Sequence, residues 1–334
     1  MNCVHCYQEN IPRIDLSEMQ IESVLNSFKE CLNNSPDINF ARSDRIQLNI
    51  TGGEPFYVSY FPKLIEKISA CSDWINFGIL CNGTLIDNEV AVFLKRRNIR
   101  FVQVSIDGDE EIHDQIRGKG SFNKSLKGLE ILRKNNIFSM VSFTANRKNY
   151  QTFPAVVKAS SSIGVNKVWA DRIVPIGNAE SNNMQTLSEM ETEDFFRIMR
   201  NEKMRLQKSW FTKTTVSMRR ALQFHYAELP PYKCTAAKRL LALMPDGTVF
   251  PCRRYPVAIG NIFTEPLSNI RKNGINIMSL SSKDIAGTNC EHCRYKIHCA
   301  GGARCISYAV NPGKYSPDPG CWIGRQGNDK ERSV

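Results

Sequence analysis

No stretch of this chain is apolar for long enough to cross a bilayer, which takes about 20 residues. No basic-then-apolar leader with a cleavage site opens it, so a cytoplasmic chain without a membrane partner is expected. Internal repeats and low-complexity tracts are missing as well. Acidic side chains are scarce beside basic ones: 33 Asp and Glu against 44 Lys and Arg, a formal net charge of +11. Such a balance first suggests nucleic acid. Basic runs interleaved with aromatics are lacking too, and nucleic acid is therefore disfavoured. A basic surface with no specific partner, or an acidic peptide substrate, is left. Thiolate-ligated clusters would offset part of the excess charge.

Cysteine is abundant instead, with twelve in 334 residues. That length suits one large domain and a smaller one. Cys31, Cys71 and Cys81 stand alone and read as ordinary buried or half-buried thiols. The other nine pair or cluster by close spacing. Without an export signal, that pattern favours metal over disulfides.

The first half alternates two patterns. Short β-branched apolar runs at 45–50, 75–81, 99–107, 138–145 and 166–174 read as buried strands. Amphipathic stretches at 60–70, 89–97, 121–134 and 153–162 read as helices between them. Together they imply parallel strands with helical crossovers, in an open or partial α/β barrel with its chemistry at the C-terminal strand ends. Residues 178–231 turn rich in Glu, Asn, Met, Arg and Lys and read as a helical bridge. From Tyr232 onward the chain is loop-rich and dense in cysteine, and metal ligation would supply the stability that so small a core lacks. The expected domains are 1–177, 178–231 and 232–334.

Several polar groups sit at the strand ends. Cys3-Val4-His5-Cys6 is a CxxC pair, used by zinc, redox and cluster sites alike. Thr51-Gly52-Gly53-Glu54-Pro55 comes after the first strand, and its glycines let the backbone approach a ligand closely. Asn82-Gly83-Thr84 caps the second, as a ligand contact or a plain strand-to-helix turn. Ser105-Ile106-Asp107-Gly108 ends the third, with His113-Asp114 and Arg117 beyond it. A hydroxyl and a guanidinium converging there suit a carboxylate ligand; Asp107 itself reads as a turn or structural acid. Val174 ends the fifth strand, as cofactor lining or plain core. Further on, Cys234 precedes Gly247 by twelve intervening residues and Cys252 comes after four more. Then come Cys290-x2-Cys293-x5-Cys299-x5-Cys305 and a final Cys321. Pairs of this kind bind zinc in many proteins; the odd ligand grouping argues for iron and sulfur.

Together MNCVHCY, TGGEP and SxDG…HDxxR resemble the radical S-adenosylmethionine (SAM) enzymes. Those hold a 4Fe–4S cluster by Cys-x3-Cys-x2-Cys, leaving one iron open. Cys3 and Cys6 match the last two positions. The first cysteine would lie two residues before Met1, and the barrel's first strand further upstream. A degenerate member with only the CxxC pair is the alternative. The resemblance implies a partial (β/α)6 TIM-like barrel lacking its first strand, plus a small cysteine-rich iron–sulfur domain. It implies that Thr51, Gly52, Gly53 and Glu54 receive the amino group of SAM. Ser105 and Arg117 would take its carboxylate, Asn82 and Asp107 would belong to the same site, and Val174 would line the adenine.

The C-terminal segment resembles the SPASM domain, whose pattern is Cys-x(9–15)-Gly-x4-Cys, Cys-x2-Cys-x5-Cys-x3-Cys and a last Cys. The departure is x5 before Cys305. By resemblance, one auxiliary cluster has Cys290, Cys293, Cys299 and Cys321, and the other has Cys234, Cys252 and Cys305. Three 4Fe–4S clusters and SAM are thus expected, with a flavodoxin or ferredoxin as electron donor and a precursor peptide or small protein as substrate. Peptide maturation is the leading expectation. Sulfatase maturation is weakened by Leu240, where those relatives place an extra cysteine, and by Arg253, where they place an acid. Haem or other cofactor synthesis is a further reading. From another class stands a non-enzymatic, metal-holding protein that binds nucleic acid.

Overall fold

A computed structural model describes residues 3–7, 16–34, 45–279, 286–312 and 316–323. Two compact units divide the chain: residues 1–8 with 43–230, and residues 9–42 with 231–334.

The first unit is built on six strands: β1 (Ile46–Ile50), β2 (Ile75–Cys81), β3 (Phe101–Ser105), β4 (Ser139–Ala145), β5 (Lys167–Arg172) and β6 (Thr215–Ser217). They lie side by side in chain order, each parallel to the next. This is the partial barrel that the apolar runs imply. The crossovers are α2 (Phe61–Ser69), α3 (Asn88–Arg96), α4 (Glu110–Arg117) with α5 (Ser121–Lys134), and α6 (Phe153–Ile163). Local chemistry sets their ends. Asp87 and Asp109 cap α3 and α4 by accepting from the N–H groups of Val90 and Ile112, at 2.8 and 3.1 Å. Gly164 stops α6 in the left-handed region, at φ +85°.

The stretch expected as a helical bridge belongs to this unit and contains a strand. It runs through α7 (Asn178–Ser181), α8 (Glu189–Gln207), β6 and α9 (Phe224–Ala227). Packing explains why. Phe195 of α8 lies 5.7 Å from Phe153 of α6 and 6.0 Å from Phe143 of β4, ring to ring. All three rings are buried. Burying an aromatic side chain is worth about 2–3 kcal/mol, so this cluster fastens α8 to the barrel.

The second unit holds a three-stranded antiparallel sheet, β7 (Ala242–Leu243), β8 (Thr248–Phe250) and β9 (Gly260–Asn261). Beside it are α10 (Leu267–Met278), α11 (Lys296–Cys299) and α12 (Arg304–Val310). A helix from early in the chain, α1 (Glu18–Asn33), joins them. Its Val24 and Cys31 share a core with Val249, Ile259, Ile262, Leu267 and Ile270. The boundary expected at residue 177 leaves α1 with the first unit, whereas its apolar face shares a core with residues from Leu241 onward. Among the described residues no helix is long and apolar enough to cross a membrane.

Candidate active site

The Cys3–Tyr7 segment is held by the connections that leave β3 and β5. The Val4 N–H donates to the Ile116 carbonyl at 3.1 Å. Asn178 and Asn182 donate from their amides to the carbonyls of Cys3 and Val4, each at 3.2 Å. The Val4 side chain packs on Ile173, Ala179 and Met184. Within the segment, the Cys6 N–H donates to the Cys3 carbonyl at 3.1 Å, a tight turn that brings the two thiols near each other. Burial pushes the Cys3 thiol up; Arg117 pulls it down.

Asp107 is the hub of this region. Its carboxylate is fully buried. Oδ2 accepts from Arg117 at 2.6 Å and lies 3.1 Å from Nε2 of His5, the residue between the two cysteines. Oδ1 accepts from the Thr144 N–H at 2.7 Å. The Asp107 carbonyl accepts from Asn149 at 2.9 Å, and its N–H donates to Nδ1 of His113 at 3.1 Å. Burial alone would raise this acid, but the charge of Arg117 and the bond from His5 outweigh it and hold the carboxyl well below the ordinary range. His5 carries no obvious signal in the sequence beyond its place inside the CxxC pair.

The second group gathers around Glu54. Its Oε2 accepts from the Asn82 N–H at 2.8 Å, and burial raises its carboxyl. The Asn82 side chain turns inward on its own loop, accepting from the Thr84 N–H at 2.8 Å and hydroxyl at 2.7 Å. Gly52 sits at φ +154°, and a Cβ built on Gly52 or Gly53 meets nothing within 4 Å. That open space lets a ligand meet bare backbone at this turn. Thr51 precedes it, exposed.

Ser105, two residues before Asp107 at the end of β3, bonds across the sheet. Its hydroxyl lies 3.3 Å from that of Ser142, to which Gln103 also donates at 3.1 Å. Trp169 donates from its indole to Gln103 at 3.1 Å, and the Arg220 guanidinium stacks 4.4 Å over the Trp169 ring. The strand register, Ser105 opposite Ser142 and Ser142 opposite Trp169, sets these groups in one row. Composition gives no hint of this row; its only signal is polar residues at alternate positions of an apolar strand. Val174 is buried, only 3% exposed.

In the second unit, Cys234 and Cys252 pack together with Tyr255 against Ala236, Ala237 and Met278. The Arg254 N–H points at Sγ of Cys252, 3.5 Å away. Gly247 turns the hairpin at φ +84°, where a Cβ would lie 2.3 Å from the Phe263 ring; this explains the glycine in the cysteine spacing. Cys299 feels Cys321 and Cys290, and burial with these neighbours pushes its thiol up to about 12. The two extra residues before Cys305 form a left-handed turn at Gly301 and Gly302. Asp318 closes it, accepting from the Ala303 N–H at 2.7 Å and the Gly320 N–H at 3.0 Å. On α12, Tyr308 stacks on Tyr255 at 4.6 Å, and Arg304 reaches the surroundings of Cys234. Cys305 is half-buried between them in sequence, and Cys293 is half-buried as well.

Among the described residues no three Cys, His, Asp or Glu side chains stand close enough to enclose a metal ion. The donor chemistry still fits iron and sulfur. Thiols buried in groups, their protonation favoured by mutual repulsion, become stable thiolates once a cationic cluster neutralises them.

Residues 1–158 match the model of the radical SAM superfamily, and residues 234–294 match that of the SPASM iron–sulfur cluster-binding domain. The chain is a radical SAM enzyme. More particularly, it belongs to those that carry a SPASM domain after the barrel. It is 24% identical over 335 residues to the AdoMet-dependent heme synthase of Methanosarcina barkeri, covering 96% of this chain and 92% of that one. It is 25% identical over 347 residues to the mycofactocin maturase MftC of Mycolicibacterium smegmatis, covering 99% and 82%. Among solved structures, Streptococcus suis SuiB bound to the precursor peptide SuiA superposes with a TM-score of 0.72 at 14% identity, over 96% of this chain and 73% of SuiB. The anSMEcpe protein with bound AdoMet gives 0.71 at 17% identity, over 98% and 88%. At these identities the likeness is one of fold.

Proposed function

We propose that this enzyme modifies a ribosomally made peptide, using SAM as the radical source. The observation that carries the reading is the similarity to a peptide maturase along nearly the whole chain, together with the meeting of His5, Asp107 and Arg117 beside the CxxC turn. When bound, cluster and SAM together supply a 5′-deoxyadenosyl radical that takes a hydrogen atom from the substrate.

The chain's own residues do the rest. Cys3 and Cys6 give two of the thiolates that hold the SAM-binding cluster. The Thr51–Glu54 turn receives the amino group of SAM, and Asn82 fixes Glu54 for that task. Ser105 and Arg117 take its carboxylate. Asp107 holds Arg117 in place, and Val174 backs the adenine. Cys290, Cys293, Cys299 and Cys321 hold one auxiliary cluster; Cys234, Cys252 and Cys305 hold the other. A flavodoxin or ferredoxin delivers the electron.

A second reading is haem-type cofactor synthesis, favoured by the similarity to the heme synthase over 92% of its length. Sulfatase maturation is disfavoured by Leu240 and Arg253. One experiment separates them. A chain extended to a cysteine two residues before Met1 is reduced and given SAM with peptides from neighbouring short genes, Fe-coproporphyrin or a sulfatase peptide. Loss of two hydrogens from a peptide, in step with 5′-deoxyadenosine, is expected. Turnover of the porphyrin alone would establish the second reading, and formylglycine alone would overturn both.

A further inference from the structure

The connection from α8 to β6 carries Trp210 and Phe211 side by side, 97% and 101% exposed. Single exposed apolar residues are ordinary; two adjacent large aromatics touching almost nothing are not. Their position comes from the topology. Every helix-to-strand connection of a parallel sheet enters at the N-terminal strand edge, and this is one of them. The CxxC turn and Asp107 are held by segments that leave the opposite edge. The aromatic pair therefore lies a strand's length, on the order of 15–20 Å, from the chemistry.

The same edge is basic. Lys208 and Lys213 flank the pair and are exposed. Arg100, where β3 begins, and Lys134, where α5 ends, are exposed too. Phe138 precedes β4 at 43% exposure, with the Lys167 ammonium 5.9 Å from its ring. The shape then chooses the partner. A peptide is recognised by a groove that receives its side chains, whereas these two rings stand almost fully exposed. A projecting aromatic tip between lysines suits a soft anionic sheet. The rings enter the boundary between headgroups and acyl chains, and the ammonium groups stay level with the phosphates.

We propose that the barrel docks reversibly on an anionic lipid bilayer through Trp210 and Phe211, with Lys208 and Lys213 supplying the charge attraction. This is a surface contact and not a span; the expectation of no membrane partner rests on the lack of a span and of a leader, and neither bears on a surface contact. It leaves the active-site edge facing away from the lipid, and it needs neither cluster nor SAM.

The test uses the full chain and vesicles of phosphatidylglycerol with phosphatidylcholine, or of phosphatidylcholine alone. Co-sedimentation should occur with the anionic vesicles, weaken by about tenfold or more on the neutral ones, and fade as salt rises. Trp210→Ala with Phe211→Ala should lower the affinity by about tenfold or more while leaving the thermal melt unchanged, since both side chains are exposed. Trp210→Phe should keep binding but lose the tryptophan quenching by brominated lipid. Absence of sedimentation with anionic vesicles would overturn the proposal, as would a double variant that sediments like the parent. So would capture by poly-glutamate, lost in the double variant, with no vesicle binding.

Discussion

At the scale of single residues, Asp107 does most to shape the site. It joins the third strand end, the CxxC segment and Arg117 through one buried carboxylate. Asp107→Asn leaves the half-buried Arg117 charge without its carboxylate, and breaking such a pair by removing one partner costs at most about 3–5 kcal/mol. Urea unfolding should show a loss of that size, and His5→Asn a smaller one. His113 gives a pH prediction. Burial, then the nearby Arg117, lowers it to about 4, while the Asp107 N–H donates a hydrogen bond to its neutral ring. The unfolded chain takes up that proton near pH 6.5. Stability should therefore fall as pH drops from about 6.5 to 4 by up to roughly 3 kcal/mol, then level off for this residue. His113→Gln should remove most of that slope in melts taken across the window. Neither role is legible in the sequence. The SxDG pattern marks Asp107 as important, yet His5 meets it across a gap of 102 positions that no local pattern encodes.

At the scale of elements, the crossing of α5 over the Asn82–Thr84 turn controls the Glu54 group. A Cβ on Gly128 would lie 2.3 Å from the Gly83 carbonyl oxygen. Ser125, one turn earlier, donates to the Asn82 carbonyl at 2.7 Å. Gly128→Ala gains up to about 1 kcal/mol of helix propensity, but the clash costs about 1–3 kcal/mol and pushes helix and turn apart. The expected result is a lower melting temperature and weaker SAM binding by calorimetry, with helix content kept. Five strands were legible because buried parallel strands read as continuous apolar runs. β6 was not, since Thr215–Ser217 is too short to make a run. α1 did carry its signal: Ser17 and Gln20 form a reciprocal capping box, with Ile21, Val24 and Leu25 after it on one face. What that signal lacks is the address of its partner, which lies in the second unit.

At the scale of the whole molecule, two motif-bearing halves define the enzyme class, and spacing made both legible. The x5 interval before Cys305 was the weak point, and its explanation lies in Asp318, which no ligand pattern contains. Changing Cys290, Cys293, Cys299 or Cys321 should remove about four iron atoms per chain and leave the other sites filled. The net charge of +11 predicts nothing about these sites, and it is spread too widely in the sequence to reveal the basic edge that the topology assembles. The most direct test of the central claim is the content of iron, acid-labile sulfide and zinc in anaerobically purified protein. The expected result, for the chain extended to a cysteine two residues before Met1, is a brown protein holding about twelve iron atoms with matching sulfide. Stoichiometric zinc without iron or sulfide would contradict it.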